Sequence, residues 1–251
     1  MLPVIQVGPL ALQAPGLLLL AGLWFGLLLA ERNAHRFNVD KSQLYNLSFV
    51  ALIAGVVSAR LVYALHYLKI FIDSPVSLIS LNPGLLNPWG GLAIALVAVL
   101  VYGRSKKLAF WSTLDALTLS LAVISIGIGL SHIASGSAYG TISNIPWGIK
   151  LWGAIRHPAQ IYETLAAVLI LALILPWRRL IRPIPAGIYF LRFIALSATA
   201  RLFLEAFRGD SHLLPGGVRT AQVVAWLVLG VSLWGIIYIE KVMASPPKPQ
   251  L

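Results

Sequence analysis

The chain has 251 residues, of which 59% are hydrophobic and 11% charged, and its mean hydropathy is +0.85. A soluble domain carries about 25% charged residues to keep its surface wet, so composition excludes a soluble globule; at about 20 residues per helical crossing, the length allows roughly six to eight spans. The net charge of +11 is not gathered into a basic face interleaved with aromatic rings, which argues against nucleic acid as a partner, and zero cysteines exclude a disulfide, a thiol nucleophile and a Cys-based metal site.

Taken in chain order, the apolar blocks predict an all-α integral membrane protein with about seven transmembrane helices. They cover about 9–30, 45–67, 90–102, 114–134, 159–176, 186–207 and 220–239. The third is short and could begin nearer Leu85. Asn82-Pro83-Gly84, Asn87-Pro88, Pro183, Pro185 and Pro215-Gly216-Gly217 punctuate the gaps. The first block has no Lys or Arg before it, while Arg32, Arg36 and Lys41 follow it, so it reads as an uncleaved span. The links after spans one, three and five, with the tail, hold Arg32, Arg36, Lys41, Arg104, Lys106, Lys107, Arg178, Arg179, Arg182, Lys241 and Lys248, eleven of the nineteen basic residues. The opposite links hold Lys69, Lys150, Arg156, Arg208 and Arg219. That bias puts the N-terminus outside and the C-terminus in the cytoplasm. One polytopic membrane domain is expected over residues 1–243, with a short disordered cytoplasmic tail at 244–251.

A charge within a span costs about 2.5–3.5 kcal/mol on insertion scales, so each one calls for a reason. Arg60 lies in span two, Asp115 opens span four, and Arg192 and Arg201 lie in span six. Arg201 and Glu205 share a helical face at i,i+4, and Arg208 continues it. Two readings stand side by side: an internal ion pair that locks helices together, or a site for an anionic lipid head group, which Arg binds bidentately. A second polar cluster, Arg156-His157-Pro158-Ala159-Gln160-Ile161-Tyr162-Glu163, opens span five with Pro in the first turn and sends Gln160, Tyr162 and Glu163 into the membrane. Glu163 could equally pair with an arginine of another span. The eight Trp residues read as an interfacial belt, or as a surface for a partner.

That cluster resembles the Arg-His-Pro-Ser-Gln-Leu-Tyr-Glu signature of the prolipoprotein diacylglyceryl transferases, with Ala159 in place of Ser. The segment from Ala200 to Asp210, Ala-Arg-Leu-Phe-Leu-Glu-Ala-Phe-Arg-Gly-Asp, is similar to that family's Leu-Arg-Phe-x-x-Glu-Phe-Phe-Arg block. Ser58-Ala59-Arg60-Leu61 resembles its Gly-Ala-Arg-Leu element, and Val39-Asp40, Asp115, Tyr139-Gly140 and Gln222 fall in matching order. The chain departs from the family at several positions. Trp89 stands where the family has His before Gly-Gly, and Ala14-Pro15-Gly16 replaces an aromatic pair before Gly. Aligned on Tyr139-Gly140, Gly129 replaces an Arg, His132 and Ser135 replace two Asn, and Ser137 replaces a Glu; Ser197 replaces a Tyr one turn before Arg201.

The resemblance implies transfer of diacylglyceryl from phosphatidylglycerol to a cysteine thiol of a secreted precursor lipoprotein, releasing glycerol phosphate, at the bacterial inner (plasma) membrane. It implies no cofactor and no metal. A thiol of pKa about 8.5 needs a base at neutral pH, and the leaving phosphate needs cations. The family has two arginines for that phosphate, of which Arg201 remains, and losing one such partner costs about 2.7–4 kcal/mol. The resemblance therefore implies Arg201 on the phosphate, Glu205 orienting it, His132 or His157 handling the proton, and Arg156 or Arg208 as the substitute cation. Arg60, Gln160, Tyr162, Glu163, Tyr139 and Gln222 would give polar support. The alternative is a catalytically inactive relative, kept as a lipid-binding or structural subunit beside other membrane proteins. A transporter is the weakest reading, since no inverted repeat or pair of broken helices is visible.

Overall fold

The computed structural model describes residues 4–7, 10–76, 85–175 and 184–244. Expectations for Asn82-Pro83-Gly84, Arg178, Arg179, Arg182, Lys248 and the tail from 245 onward fall outside the described residues. Eight α-helices follow in chain order: α1 (Ala14–Asn33), α2 (Lys41–His66), α3 (Leu68–Asp73), α4 (Pro88–Ser105), α5 (Phe110–Ser135), α6 (Ala159–Ile174), α7 (Ile188–Leu204) and α8 (Thr220–Ala244). Four short strands join them: β1 (Val4–Val7) pairs antiparallel with β2 (Leu10–Gln13), and β3 (Ile149–Leu151) with β4 (Ala154–Arg156). The structure is thus mostly helical, as expected, with these two short hairpins added. Residues 10–13 pair as a strand instead of opening the first helix.

Among the described residues, five helices are long and apolar enough to cross a membrane: 14–37 (counting the 3₁₀ turn after α1), α2, α4, α5 and 220–242 of α8. Their flanks stay apolar and uncovered, as with Leu20, Trp24 and Phe25 on α1 or Trp226, Leu227, Val231 and Trp234 on α8. α6 and α7 have 16 and 17 residues, fewer than the sequence blocks suggest.

The described chain divides into two compact units at Asn33/Ala34 and Thr113/Leu114. In the unit covering 34–113, α2 packs on α4. A Cβ on Gly91 would lie 2.7 Å from Ala59 Cβ and 2.8 Å from the Gly55 carbonyl oxygen, so the absence of a side chain sets the helix spacing. Asn87 caps α4 by accepting from Gly90 N at 2.9 Å, and Pro88 starts it. Arg60 donates to the Leu85 carbonyl at 3.0 Å and lies 5.9 Å from the Phe71 ring centre, which accounts for a cation within α2. Asp40 caps α2, and the hydrogen bonds it accepts from Ser42 N and then Ser42 Oγ hold its carboxyl below the usual value.

In the other unit, Leu119 and Ala122 of α5, Ile170 and Ile174 of α6 and Phe193 of α7 form a buried core. Asp115, 2% exposed, accepts from Gly187 N at 2.6 Å and Phe190 N at 2.8 Å. It therefore caps the N-terminus of α7 from within α5, satisfying donors that a helix start leaves free. Arg192 sits one turn into α7 and is exposed, at the helix end instead of its middle.

Candidate active site

Helices α5, α6 and α7 run alternately up and down, so the C-terminal end of α5, the start of α6 and the C-terminal end of α7 meet. Three sequence-predicted residues, His132, Arg201 and Arg208, converge there on a fourth, Glu163. Its Oε1 accepts from Arg201 Nη1 at 3.0 Å and from Arg208 Nη1 at 2.8 Å. Its Oε2 lies 3.6 Å from His132 Nδ1. Arg201 Nη2 lies 2.9 Å from Glu205 Oε2, so the i,i+4 pair exists, and Glu205 is only 1% exposed. Arg208 also makes a bidentate pair with Asp210, Nε to Oδ1 at 2.9 Å and Nη2 to Oδ2 at 2.8 Å. Arg201 is the more open cation, its side chain 38% exposed against 12% for Arg208.

From Glu163 and Arg201 a cavity of about 230 Å³ runs between the three helices, lined by Ser125, Ala166, Ala167, Phe193, Ser197 and Ala200 among others. Small side chains at facing positions leave this space, and Ser197, which stands where the resemblance expects a Tyr, opens it further. The site is thus amphipathic: an apolar slot lined at one end by the Arg201 guanidinium and the Glu163 carboxylate, with Arg208 reaching that carboxylate from outside the lining.

Close backbone packing accounts for Gly129. A Cβ there would strike Thr164 Oγ1 and lie 3.1 Å from Thr164 Cα, so no side chain fits where the family pattern has an arginine. The α5–α6 contact fills that space.

The loops beyond the helices hold the arginines in place. Thr141 N donates to Phe207 O at 2.9 Å, His157 N to Thr141 O at 3.0 Å, and Gly209 N to Tyr139 O at 2.8 Å. Three chain segments are therefore laced together, and at Gly140 they approach so closely that a Cβ would lie 2.7 Å from His157 Cβ. Arg156 belongs to this lacing. It donates to the Leu151 and Gly140 carbonyls at 3.1 and 3.2 Å and stacks 4.8 Å from the Tyr139 ring centre. Of the two candidate second cations, Arg208 stands beside Arg201 and Arg156 is engaged elsewhere.

The remaining predicted residues scatter around the site. His157 packs its ring against Phe207 and Tyr162, at 5.2 and 6.2 Å between centres, and its buried Nδ1 has no hydrogen-bond partner among the described residues. Tyr162 Oη accepts from Trp147 Nε1 at 2.8 Å. Gln160, 2% exposed, donates to the Ser137 carbonyl at 3.0 Å, and Gln222 donates to Leu202 O at 3.2 Å. Ser135 and Ser137 share a hydrogen bond of 2.7 Å. Arg60 and the exposed Trp89 belong to the other unit. Among the described residues no group of three or more His, Asp or Glu could hold a metal ion.

Sequence reasoning left out Asp210 and Arg219 as site residues. The signal for Asp210 was its place two residues after Arg208 in a Gly-containing turn. The signal for Arg219 was a cation at the start of a helix, where the macrodipole disfavours it.

The family model described as prolipoprotein diacylglyceryl transferase matches residues 3–238. Similar curated proteins bear the name phosphatidylglycerol–prolipoprotein diacylglyceryl transferase. One from Photobacterium profundum is 32% identical over 82% of this chain and 79% of its own length. One from Clostridioides difficile is 26% identical over 90% of each. A third, from Synechococcus elongatus, is 24% identical over 97% of this chain and 89% of its own length. With the match running nearly end to end, the chain belongs to the prolipoprotein diacylglyceryl transferase family.

Proposed function

We propose that this protein transfers a diacylglyceryl group from phosphatidylglycerol to the cysteine thiol of a prolipoprotein, at the outer side of a bacterial plasma membrane. The observation that carries this reading is the meeting of Arg201 and Arg208 on one Glu163 oxygen at the mouth of an apolar cavity. Arg208 supplies the second cation that Gly129 no longer provides, and this favours an active enzyme over a non-catalytic relative.

In this reading the apolar part of the lipid enters the slot and its phosphodiester lies against the two guanidinium groups. Glu163 and Glu205 hold Arg201 in place. His132 accepts the thiol proton, and the Glu163 carboxylate beside it stabilises the imidazolium. His157, walled in by aromatic rings, is the weaker candidate. The thiolate attacks the glycerol carbon that bears the phosphate ester, a carbon–sulfur bond forms, and the carbon–oxygen bond breaks with its electron pair going to the phosphate oxygen. Glycerol phosphate departs against Arg201 and Arg208, and the proton on His132 passes to it.

The topology that goes with this chemistry has α6 and α7 crossing as well, seven spans in one polytopic domain over residues 1–243, with the N-terminus outside and the C-terminus in the cytoplasm. The basic links after spans one and three support it, and it sets the Glu163 cluster at the outer surface, where a secreted precursor arrives.

The test is to incubate purified protein with phosphatidylglycerol and a peptide bearing a lipoprotein-type cysteine, and to measure peptide mass. The wild type should add the diacylglyceryl mass, and Arg201→Ala should lose about 10²–10³ in rate. Folded wild-type protein that leaves the peptide unchanged would overturn the proposal.

A further inference from the structure

Arg219 immediately precedes α8, where its charge opposes the helix dipole, so its donors must be used elsewhere. They point back at the end of α7. Nη1 donates to the Glu205 carbonyl, to the Arg208 carbonyl at 2.6 Å, and to Ser211 Oγ at 2.9 Å. Residues 205–207 form a 3₁₀ turn that Arg208 N closes by donating to the Glu205 carbonyl at 3.1 Å, and Arg208 is extended; Arg219 thus adds a second donor to the Glu205 carbonyl and supplies one to the Arg208 carbonyl beyond the helix end. A cation at the negative end of α7 is favoured for the same reason that one at the start of α8 is not. Arg219 is itself held in a closed loop: Leu214 N donates to Val218 O at 2.8 Å, and Thr220 N to His212 O at 3.0 Å. The turn it clamps carries Arg208, whose guanidinium reaches Glu163.

We propose that Arg219 is a positioning residue that acts through Arg208: its guanidinium clamps the 205–211 turn and so keeps the Arg208 side chain beside Arg201. This rests on the transferase reading for its effect on rate, but not for the clamp itself. A misplacement of about 1 Å at a reacting group can cost on the order of 10²-fold in rate. Arg219→Gln should therefore lower kcat by about that factor while the KM for phosphatidylglycerol changes little. Arg219→Lys keeps the charge and three donors on one nitrogen but on a stem of different reach, and should fall between.

Two measurements on full-length protein decide it. Amide hydrogen exchange should speed up at 208–211 in Arg219→Gln while α5 and α6, in the same unit, exchange as in the wild type, which also shows that the variant folds. In a double-mutant cycle, Arg219→Gln should cost far less on an Arg208→Lys background than alone, because both changes act on one group; a merely structural role would cost the same in both. Unchanged exchange, or equal losses in the cycle, would overturn the proposal. A wild type that transfers nothing while Arg219→Gln still loosens 208–211 would sink the transferase reading and leave the clamp standing.

Discussion

The α2–α4 pair and the α5–α6–α7 group use the same packing device to opposite ends. In both, a glycine lets one helix backbone approach another: Gly91 against Ala59 and the Gly55 carbonyl, Gly129 against Thr164. In the first pair the closeness is the whole result. The half-buried cation beside it, Arg60, donates to the Leu85 carbonyl and lies over the Phe71 ring. In the second group the close contact lies to one side of a slot kept open by small residues, and the charges gather at its mouth. Glycine packing by itself therefore says nothing about function; what distinguishes a site is packing that stops short, beside charges that have been brought together.

The sharpest way to break that contrast is at His132. If it is the base, His132→Gln should reduce transfer by about 10²-fold or more. A variant that keeps its rate would move the proton to another group. Next in size is the packing itself. Gly129→Ala and Gly91→Ala should each destabilise by about 1–3 kcal/mol, read as a lower midpoint of thermal unfolding in detergent. They should part in activity, with Gly129→Ala lowering transfer, because α6 carries Glu163, and Gly91→Ala leaving the rate constant of the folded fraction unchanged. Equal losses of activity would erase the distinction. The smallest effect is expected at Gly103, also on α4, where an added Cβ meets nothing within 4 Å. Gly103→Ala should be neutral or stabilise by about 0.4–1 kcal/mol, through the unfolded state; a loss there would mean that this face of α4 is covered.

Much of the site was legible as residue types. Arg201 and Glu205 at i,i+4, and Glu163 with Gln160 on one face, follow from helical periodicity, and the structure keeps both relations. The choice between Arg156 and Arg208 was not legible, because it depends on how three loops are laced together. Residues 139–141, 156–157 and 207–209 are far apart in sequence, and their mutual hydrogen bonds turn Arg156 onto carbonyls and Arg208 onto Glu163. Gly129 was legible as a loss and not as a contact, since only the distance to Thr164 shows that the space has been closed. Asp115 posed a question that the sequence could not answer, and its partners on α7 supply the reason for a carboxylate at that depth.

What the sequence determined alone is the solvent and the family: long apolar blocks with few charges specify lipid-facing helices, and motifs in order across the chain specify the relatives. Helix ends were located only to within a few residues, because hydropathy does not register a cap, a 3₁₀ turn or a strand such as β2. Only the tertiary structure decided which charges meet. Ion pairs across helices depend on side-chain reach at contacts far apart in sequence, and local composition carries no record of those distances.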